Sequence, residues 1–259
     1  MAVRDLRVWA TRPVHQNAEW HDALAALGVP VVDLPLIVIE PVQEPEEIQA
    51  VKNLILNFDQ FHKVIFVSLN AVRETFTWLR DYWPQLPTVE YIAVGSKTAE
   101  AVMAENLPVT SGVRTMDSDE LLSLPQLQNV WGQKILICRG RGGLPIMGEV
   151  LRERGAIVHY CELYYRRLPA NAIIQAKPLL SQCAKDVIPV FSGETLQNLL
   201  KVLDAHGVTE RGMTLVVPGK RVCQEAEKLG FSRIITAQNA ATATMLAAVQ
   251  EALDRRAQD

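Results

Sequence analysis

Apolar positions along this chain follow two different periods. Short, nearly continuous apolar runs rich in β-branched residues predict strands over Arg7–Thr11, Val29–Leu34, Val64–Ser68, Tyr91–Val94, Ile135–Cys138, Ile157–Leu163, Val187–Phe191, Leu215–Val217 and Arg233–Thr236. Amphipathic stretches with helical spacing separate them, among them Gln16–Leu27, Ala71–Arg80 and Lys97–Glu105. Gly28, Gly155 and Gly230 stand where helix C-caps precede the next strand. Strands that are apolar throughout and alternate with helices predict an α/β protein, its parallel sheet covered on both faces by right-handed βαβ units.

The pattern also repeats. A shift of 127 places Arg7 on Lys134, Arg12 on Arg139, Leu24 on Leu151, Gly28 on Gly155 and Leu36 on Leu163. A shift of 124 places Ser68 on Ser192, Gly95 on Gly219, Lys97 on Arg221, Leu107 on Phe231 and Leu122 on Leu246. The matches keep their order and fall at caps and strand-to-helix turns, so two α/β units of similar build are expected. At 259 residues the chain is long enough for two such domains, each with its own core.

Composition narrows the chemistry. Apolar residues make up 49% and charged residues 21%, which fits neither disorder nor a disulfide scaffold. The 26 basic and 29 acidic side chains nearly cancel, so no basic surface for nucleic acid is expected, and any anionic ligand has to meet a local cluster of cations. No apolar run approaches a membrane span, and the amino terminus lacks an apolar signal core. Cys138, Cys161, Cys183 and Cys223 are spaced too widely for a paired metal motif or a redox pair, and the five histidines include no His-x-x-x-His. These features predict a cytoplasmic protein without a structural metal.

In open parallel sheets, ligands sit beyond the carboxyl ends of the strands, where turn amides and helix N-termini are free. That rule selects Thr11-Arg12-Pro13, Ser68-Leu69-Asn70, Gly95-Ser96-Lys97-Thr98, Arg139-Gly140-Arg141-Gly142-Gly143, Ser192-Gly193-Glu194 and Pro218-Gly219-Lys220-Arg221. Small residues there expose N–H donors, and Arg or Lys can add charge-assisted bonds to carboxylates or phosphates, although Gly, Ser and Asn also cap helices. The Gly-rich turn is not a dinucleotide fingerprint, because Pro145 takes the third glycine position, and it is not a Walker loop. Ser68 and Ser192 lie in no Gly-x-Ser-x-Gly elbow. Cys138 beside Arg139 reads as a buried core thiol. Tyr164-Tyr165-Arg166-Arg167, ahead of Pro169, reads either as a linker with aromatic packing or as a phenol beside two guanidiniums that can donate a proton.

Taken in order, these motifs resemble the uroporphyrinogen-III synthase family. The resemblance rests on Thr11-Arg12-Pro13, the Val64–Val72 strand-turn-helix, Ala93–Ala99, Lys134–Gly143, Gly155-Ala156, Tyr165-Arg166-Arg167 and Phe191-Ser192, and it spans essentially the whole chain. It implies two flavodoxin-like parallel-sheet domains joined by a two-stranded linker, with the active site in the interdomain cleft. The first domain would be discontinuous, 1–37 plus 167–259, and the second 41–163, with linkers at about 38–40 and 164–166. The implied reaction cyclises hydroxymethylbilane, a linear tetrapyrrole with eight carboxylates, with loss of water and inversion of ring D. An azafulvene cation and a spiro intermediate are the implied steps, and no cofactor is implied.

The resemblance further implies that Tyr165 assists departure of the substrate hydroxyl, with Tyr164 as the neighbour that a one-residue slip would select. Substrate carboxylates are expected at Arg12, Ser68, Gly95, Ser96, Lys97, Thr98, Arg139, Gly140, Arg141, Gly142, Ser192, Gly193, Gly219 and Lys220. Where many family members carry Thr in the second-repeat turn, this chain has Val222, which removes a hydroxyl donor; the basic pair Lys220-Arg221 is expected to stand in for it. A monomer is expected, with transient contact to the preceding and following pathway enzymes. The competing readings are a two-domain module that closes on a small anion without catalysis, and a nucleotide-sugar transferase. The first suffers from the missing signal sequence, the second from the short chain and the missing nucleotide fingerprint.

Overall fold

A computed structural model of the chain describes residues 6–111, 118–209 and 211–258. Most of the amino-terminal segment read for a signal core, Met1 to Asp5, lies outside the described residues. The chain begins with β1 (Val8–Ala10), α1 (Ala18–Ala26) and β2 (Val31–Asp33). It continues through β3 (Val38–Pro41), α2 (Pro45–Leu56), β4 (Lys63–Phe66), α3 (Leu69–Tyr82), β5 (Glu90–Ala93), α4 (Ser96–Met103) and β6 (Val109–Ser111). Next come α5 (Ser118–Leu122), β7 (Lys134–Gly140), α6 (Ile146–Glu153) and β8 (Ile157–Arg167). It ends with α7 (Ala172–Leu180), β9 (Val187–Pro189), α8 (Gly193–Ala205), β10 (Thr214–Pro218), α9 (Gly219–Lys228), β11 (Ile234–Ala237) and α10 (Thr242–Gln258).

The chain divides into two compact units, one made of Met1–Val38 with Arg167–Asp259 and the other of Ile39–Arg166. The first unit holds a five-stranded sheet in the order β11-β10-β9-β1-β2, with neighbouring strands parallel. Counted along that unit, this is the order 5-4-3-1-2, which is the flavodoxin-like arrangement. The second unit holds β3-β8-β7-β4-β5-β6. Here β7 and β8 are the counterparts of β1 and β2 under the 127-residue shift, and β4 and β5 correspond to β9 and β10 under the 124-residue shift. The sheet therefore has the same spatial order, but its central βαβ comes last in the chain instead of first. Each unit is built from the first part of one repeat and the remainder of the other.

Both sheets bury apolar side chains on two faces, as the near-continuous strand patterns require. In the first unit, Trp9, Leu34, Ile188, Leu196, Leu199 and Leu215 pack on one side, and Val8, Trp20, Leu24, Val187, Val216 and Met245 on the other. In the second unit Phe58, Phe66, Phe76, Tyr91 and Tyr164 form one core, and Ile65, Ile92, Leu127, Ile135, Ile137 and Leu151 the other. A buried carboxylate anchors the first sheet at its amino-terminal end: Asp186 accepts from Arg7 at 3.0 and 2.6 Å and from Trp9 Nε1 at 2.7 Å. A buried charge is tolerable only when it is paired and hydrogen-bonded in this way.

One local reading is corrected. The strand expected to end near Leu163 runs on as β8 through Tyr164, Tyr165 and Arg166 to Arg167. The reason is a β-bulge: Arg139 faces Glu162 while the next residue, Gly140, faces Tyr164, which leaves Leu163 as the extra residue and lets pairing resume. Residues 38–40 likewise lie in β3, beside β8 at the sheet edge. Pro45 at the first helical position and Glu46 and Glu47 in the first turn set the start of α2 in the signature favoured by helix N-termini.

Candidate functional site

In the second unit the strand register fixes where the selected turns lie. Phe66 of β4 pairs with Ala93 of β5 and with Cys138 of β7, so the turns after these strands share one sheet edge. Ser68 is the N-cap of α3, its Oγ accepting from the Ala71 amide at 3.1 Å. The same oxygen lies 2.8 Å from the Tyr164 hydroxyl. To reach it from β8, the Tyr164 ring passes over β7 at Gly140, where an added Cβ would come within 2.6 Å of the ring. Glycine is required there for close approach. The Ser68–Tyr164 contact thus spans the gap between β7 and β4, the point where strand order reverses and where ligands of such sheets bind.

Tyr165 is engaged elsewhere. Its hydroxyl donates to Glu47 Oε1 at 2.5 Å, and Arg141 pairs with that same oxygen. Glu47 Oε2 is buried without a hydrogen-bond partner. Glu47 did not emerge from the sequence, because its partners lie 94 and 118 residues away and nothing local marks it.

The Gly-rich turn is held from within. Arg139 donates to Glu162 from Nε at 3.1 Å and Nη2 at 2.8 Å, and its Nη1 reaches the Gly143 and Leu144 carbonyls at 3.2 Å. Its guanidinium stacks 3.7 Å from the Tyr160 ring centroid. Arg139, expected as a cation for substrate, is thus paired with Glu162 and with carbonyls of its own turn. Arg141 and Gly142 are exposed. Gly95, the N-cap of α4, has φ +80° and ψ 156°, a conformation open essentially to glycine alone, and Ser96 and Lys97 beyond it are exposed. Thr98 is buried, and so is Val222 at the matching position of the first unit. The side chain at this position faces the interior in both, so Val222 does not remove a surface donor. Gly140 and Gly193 are buried as well.

The first unit repeats the layout. Ser192 is the N-cap of α8 and accepts from the Thr195 amide at 3.1 Å, with the same extended backbone as Ser68. Gly219 begins α9 with φ +77°, and Lys220 and Arg221 are exposed on its first turn. Arg12 lies after β1, its guanidinium 3.9 Å from the Phe191 ring centroid. It donates to Thr242 Oγ1 and to the Ala240 carbonyl, each at 3.1 Å. Among the described residues no carboxylate reaches it within salt-bridge distance. Burial lowers the Arg12 pKa, and the charge of Glu19 partly opposes that shift.

The remaining titratable groups belong to the core. Burial pushes the Tyr91 phenol up to about 12, with the Cys138 sulfur adding to the shift. The Cys161 thiol is raised by its hydrogen bond to Cys138, its partner across the strands, and by burial. Among the described residues no three His, Cys, Asp or Glu converge as a metal site, and no helix is long and apolar enough to cross a membrane.

Comparison with known proteins places this arrangement. The family described as uroporphyrinogen-III synthase HemD matches residues 18–247. The uroporphyrinogen-III synthase of Escherichia coli is 30% identical over 260 residues, covering 95% of this chain and 100% of that protein. The Salmonella typhimurium enzyme of the same name is 31% identical with the same coverage. Among solved structures, uroporphyrinogen-III synthetase from Helicobacter pylori superposes with a TM-score of 0.62 at 13% identity, covering 96% of this chain and 99% of that one. A mutant uroporphyrinogen III synthase from Thermus thermophilus gives 0.61 at 17% identity, with the same coverage, and at such identities both show the fold.

Proposed function

The chain belongs to the uroporphyrinogen-III synthase HemD family, and we propose that it binds linear hydroxymethylbilane through the strand-end turns of its two α/β units and closes it with ring D inverted. The reaction is that of a cyclising hydro-lyase in tetrapyrrole biosynthesis: the terminal hydroxyl leaves as water and the chain closes to uroporphyrinogen III. Family membership carries this reading.

The substrate bears eight carboxylates, and the residues to hold them are spread thinly. Arg12, Lys97, Arg141, Lys220 and Arg221 supply charge, while the turns at Ser68, Gly95, Ser192 and Gly219 supply amides. Binding shared among many weak donors suits a task in which holding one conformation matters more than attacking one bond. Cyclisation without this control gives the I isomer.

For the proton that the leaving hydroxyl needs, we assign Tyr164 in preference to Tyr165. The Tyr165 proton is already committed to a carboxylate, which holds it more firmly than a neutral acceptor would. The Tyr164 hydroxyl meets Ser68 at the switch point of its sheet. Supplying hydroxymethylbilane, oxidising the products and separating the I and III porphyrins tests the activity, and accumulation of the I isomer alone at the spontaneous rate refutes it. Comparing Tyr164→Phe with Tyr165→Phe tests the assignment: the former is expected to lose roughly ten- to a thousand-fold in turnover, in or just below the range of general acids. The reverse ranking would return the role to Tyr165. The setting we propose is a cytoplasmic monomer with transient contact to the preceding and following pathway enzymes.

A further inference from the structure

Hydrogen-bond accounting at the Ser68–Tyr164 pair fixes which group faces outward. Tyr164 is 1% exposed, and among the described residues its hydroxyl has Ser68 Oγ as its one partner. A buried phenol proton has to be bonded, so Tyr164 donates and Ser68 accepts. Ser68 Oγ also accepts from the Ala71 amide. Both of its lone pairs are then occupied, and its own proton is left to point away from the pair. Ser68 is half-buried at the strand-end edge, whereas Tyr164 lies in the core.

We infer that Ser68 is the direct proton donor to the departing hydroxyl and that Tyr164 acts through it, a two-hydroxyl relay resting on the assignment of Tyr164 as proton source. In the forward step Ser68 O–H transfers its proton to the substrate hydroxyl oxygen as the C–O bond breaks. Water leaves and the electron pair of that bond departs with it, giving the azafulvene cation. Ser68 regains a proton from Tyr164, leaving a phenolate. After ring closure and rearrangement, the pyrrole carbon that formed the new bond loses its proton, which returns through Ser68 to Tyr164. The sum is the loss of one water with no net proton change.

The geometry also explains a constraint on the relay. The Ala71 amide is a fixed backbone donor of α3, so it holds Ser68 Oγ with one orientation for its proton, and Gly140 holds the Tyr164 ring in reach. Neither group needs to reorganise when charge develops, which is how preorganised donors act most effectively.

The test compares Ser68→Asn, Ser68→Thr, Tyr164→Phe and the Ser68→Asn/Tyr164→Phe double variant in single-turnover assays with hydroxymethylbilane, alongside thermal denaturation. Asparagine preserves helix capping but carries no hydroxyl. Ser68→Asn is expected to lower the rate roughly ten- to a hundred-fold with little change in KM, and Ser68→Thr to recover most of that loss. The double variant should be no slower than the slower single variant, because both remove one relay. Loss in Tyr164→Phe with none in Ser68→Asn, or losses that multiply, overturns the relay and leaves the phenol acting directly. Full turnover in Tyr164→Phe overturns the assignment of Tyr164 itself. Should Ser68→Asn fail to fold, the proton inventory of the native enzyme in mixed H2O and D2O decides: a curved inventory supports two protons in flight and a straight one overturns the relay.

Discussion

Arg12 and Arg139 occupy equivalent turns of the two repeats and each stacks on an aromatic ring, yet only Arg139 is neutralised by a carboxylate. The Arg12 guanidinium donates to a hydroxyl and a carbonyl, while that of Arg139 is paired with Glu162. Arg12→Gln should raise KM for hydroxymethylbilane several-fold and cost about 1 kcal/mol, as Thr242 Oγ1 and the Ala240 carbonyl lose their donor. Arg139→Gln should leave KM nearly unchanged and cost about 1–2 kcal/mol, as Glu162 and two carbonyls lose their donor. Steady-state kinetics and urea titration of the two variants check the contrast.

Gly140→Ala probes the path of the Tyr164 ring. The new methyl would lie within 2.6 Å of a ring in the core, so the ring or β7 has to move. Overpacking of this kind costs typically 1–3 kcal/mol. Turnover should fall with it, because the Tyr164 hydroxyl is carried away from Ser68. A Gly140→Ala variant with native stability and native turnover would show that the ring does not depend on this approach.

Glu47 should behave as the hub of a small network. Glu47→Ala and Tyr165→Phe are each expected to cost about 1 kcal/mol, and the double variant less than the sum, since both remove the same bond. A double-mutant cycle measured by thermal or urea unfolding reads the coupling directly; strict additivity would mean that the contact contributes nothing.

Tyr91 gives an alkaline signature. Its phenol donates to the Pro87 carbonyl at 2.6 Å and titrates near 12 in the folded chain against about 10 when unfolded. Because the folded pKa is the higher one, the folded state holds the proton longer. Its contribution is complete below about pH 10 and is lost as the pH rises through about 12, by up to about 3 kcal/mol. Tyr91→Phe should flatten stability against pH between about 10 and 12, as followed by urea unfolding across that window.

Much of the architecture was legible in the sequence because it rests on local chemistry. Continuous apolar runs marked the strands, and Ser68 and Ser192 at a 124-residue shift marked matched helix caps with matched backbone angles. The crossover that assembles each sheet from parts of both repeats was implied by the resemblance to the synthase family, and the two offsets agree with it. What was hidden depends on partners distant in the chain. Arg139 reads as a free cation until Glu162 is placed opposite it on β8, and Glu47 has no local signal at all. The extension of β8 was obscured because Tyr-Tyr-Arg-Arg before a proline lacks the apolar alternation of a strand, and only the bulge at Leu163 restores the register. Side-chain direction at Tyr164 and Tyr165 is set by that same bulge, which spacing alone does not reveal.

The insertion of 39–166 into the first unit also has a cost during synthesis. Val8 of β1 pairs with Val187 of β9, so this neighbour leaves the ribosome about 180 residues after β1 does. At translation rates of roughly 5–20 residues per second that delay is about 10–40 seconds. Throughout it the second unit is contiguous and can be completed, while the amino-terminal β1-α1-β2 fragment waits with one side of its central strand unpaired. Nascent-chain chaperones and premature edge pairing would compete for that exposed strand; in the second unit the longest wait, that of the edge strand β3 for β8, is shorter.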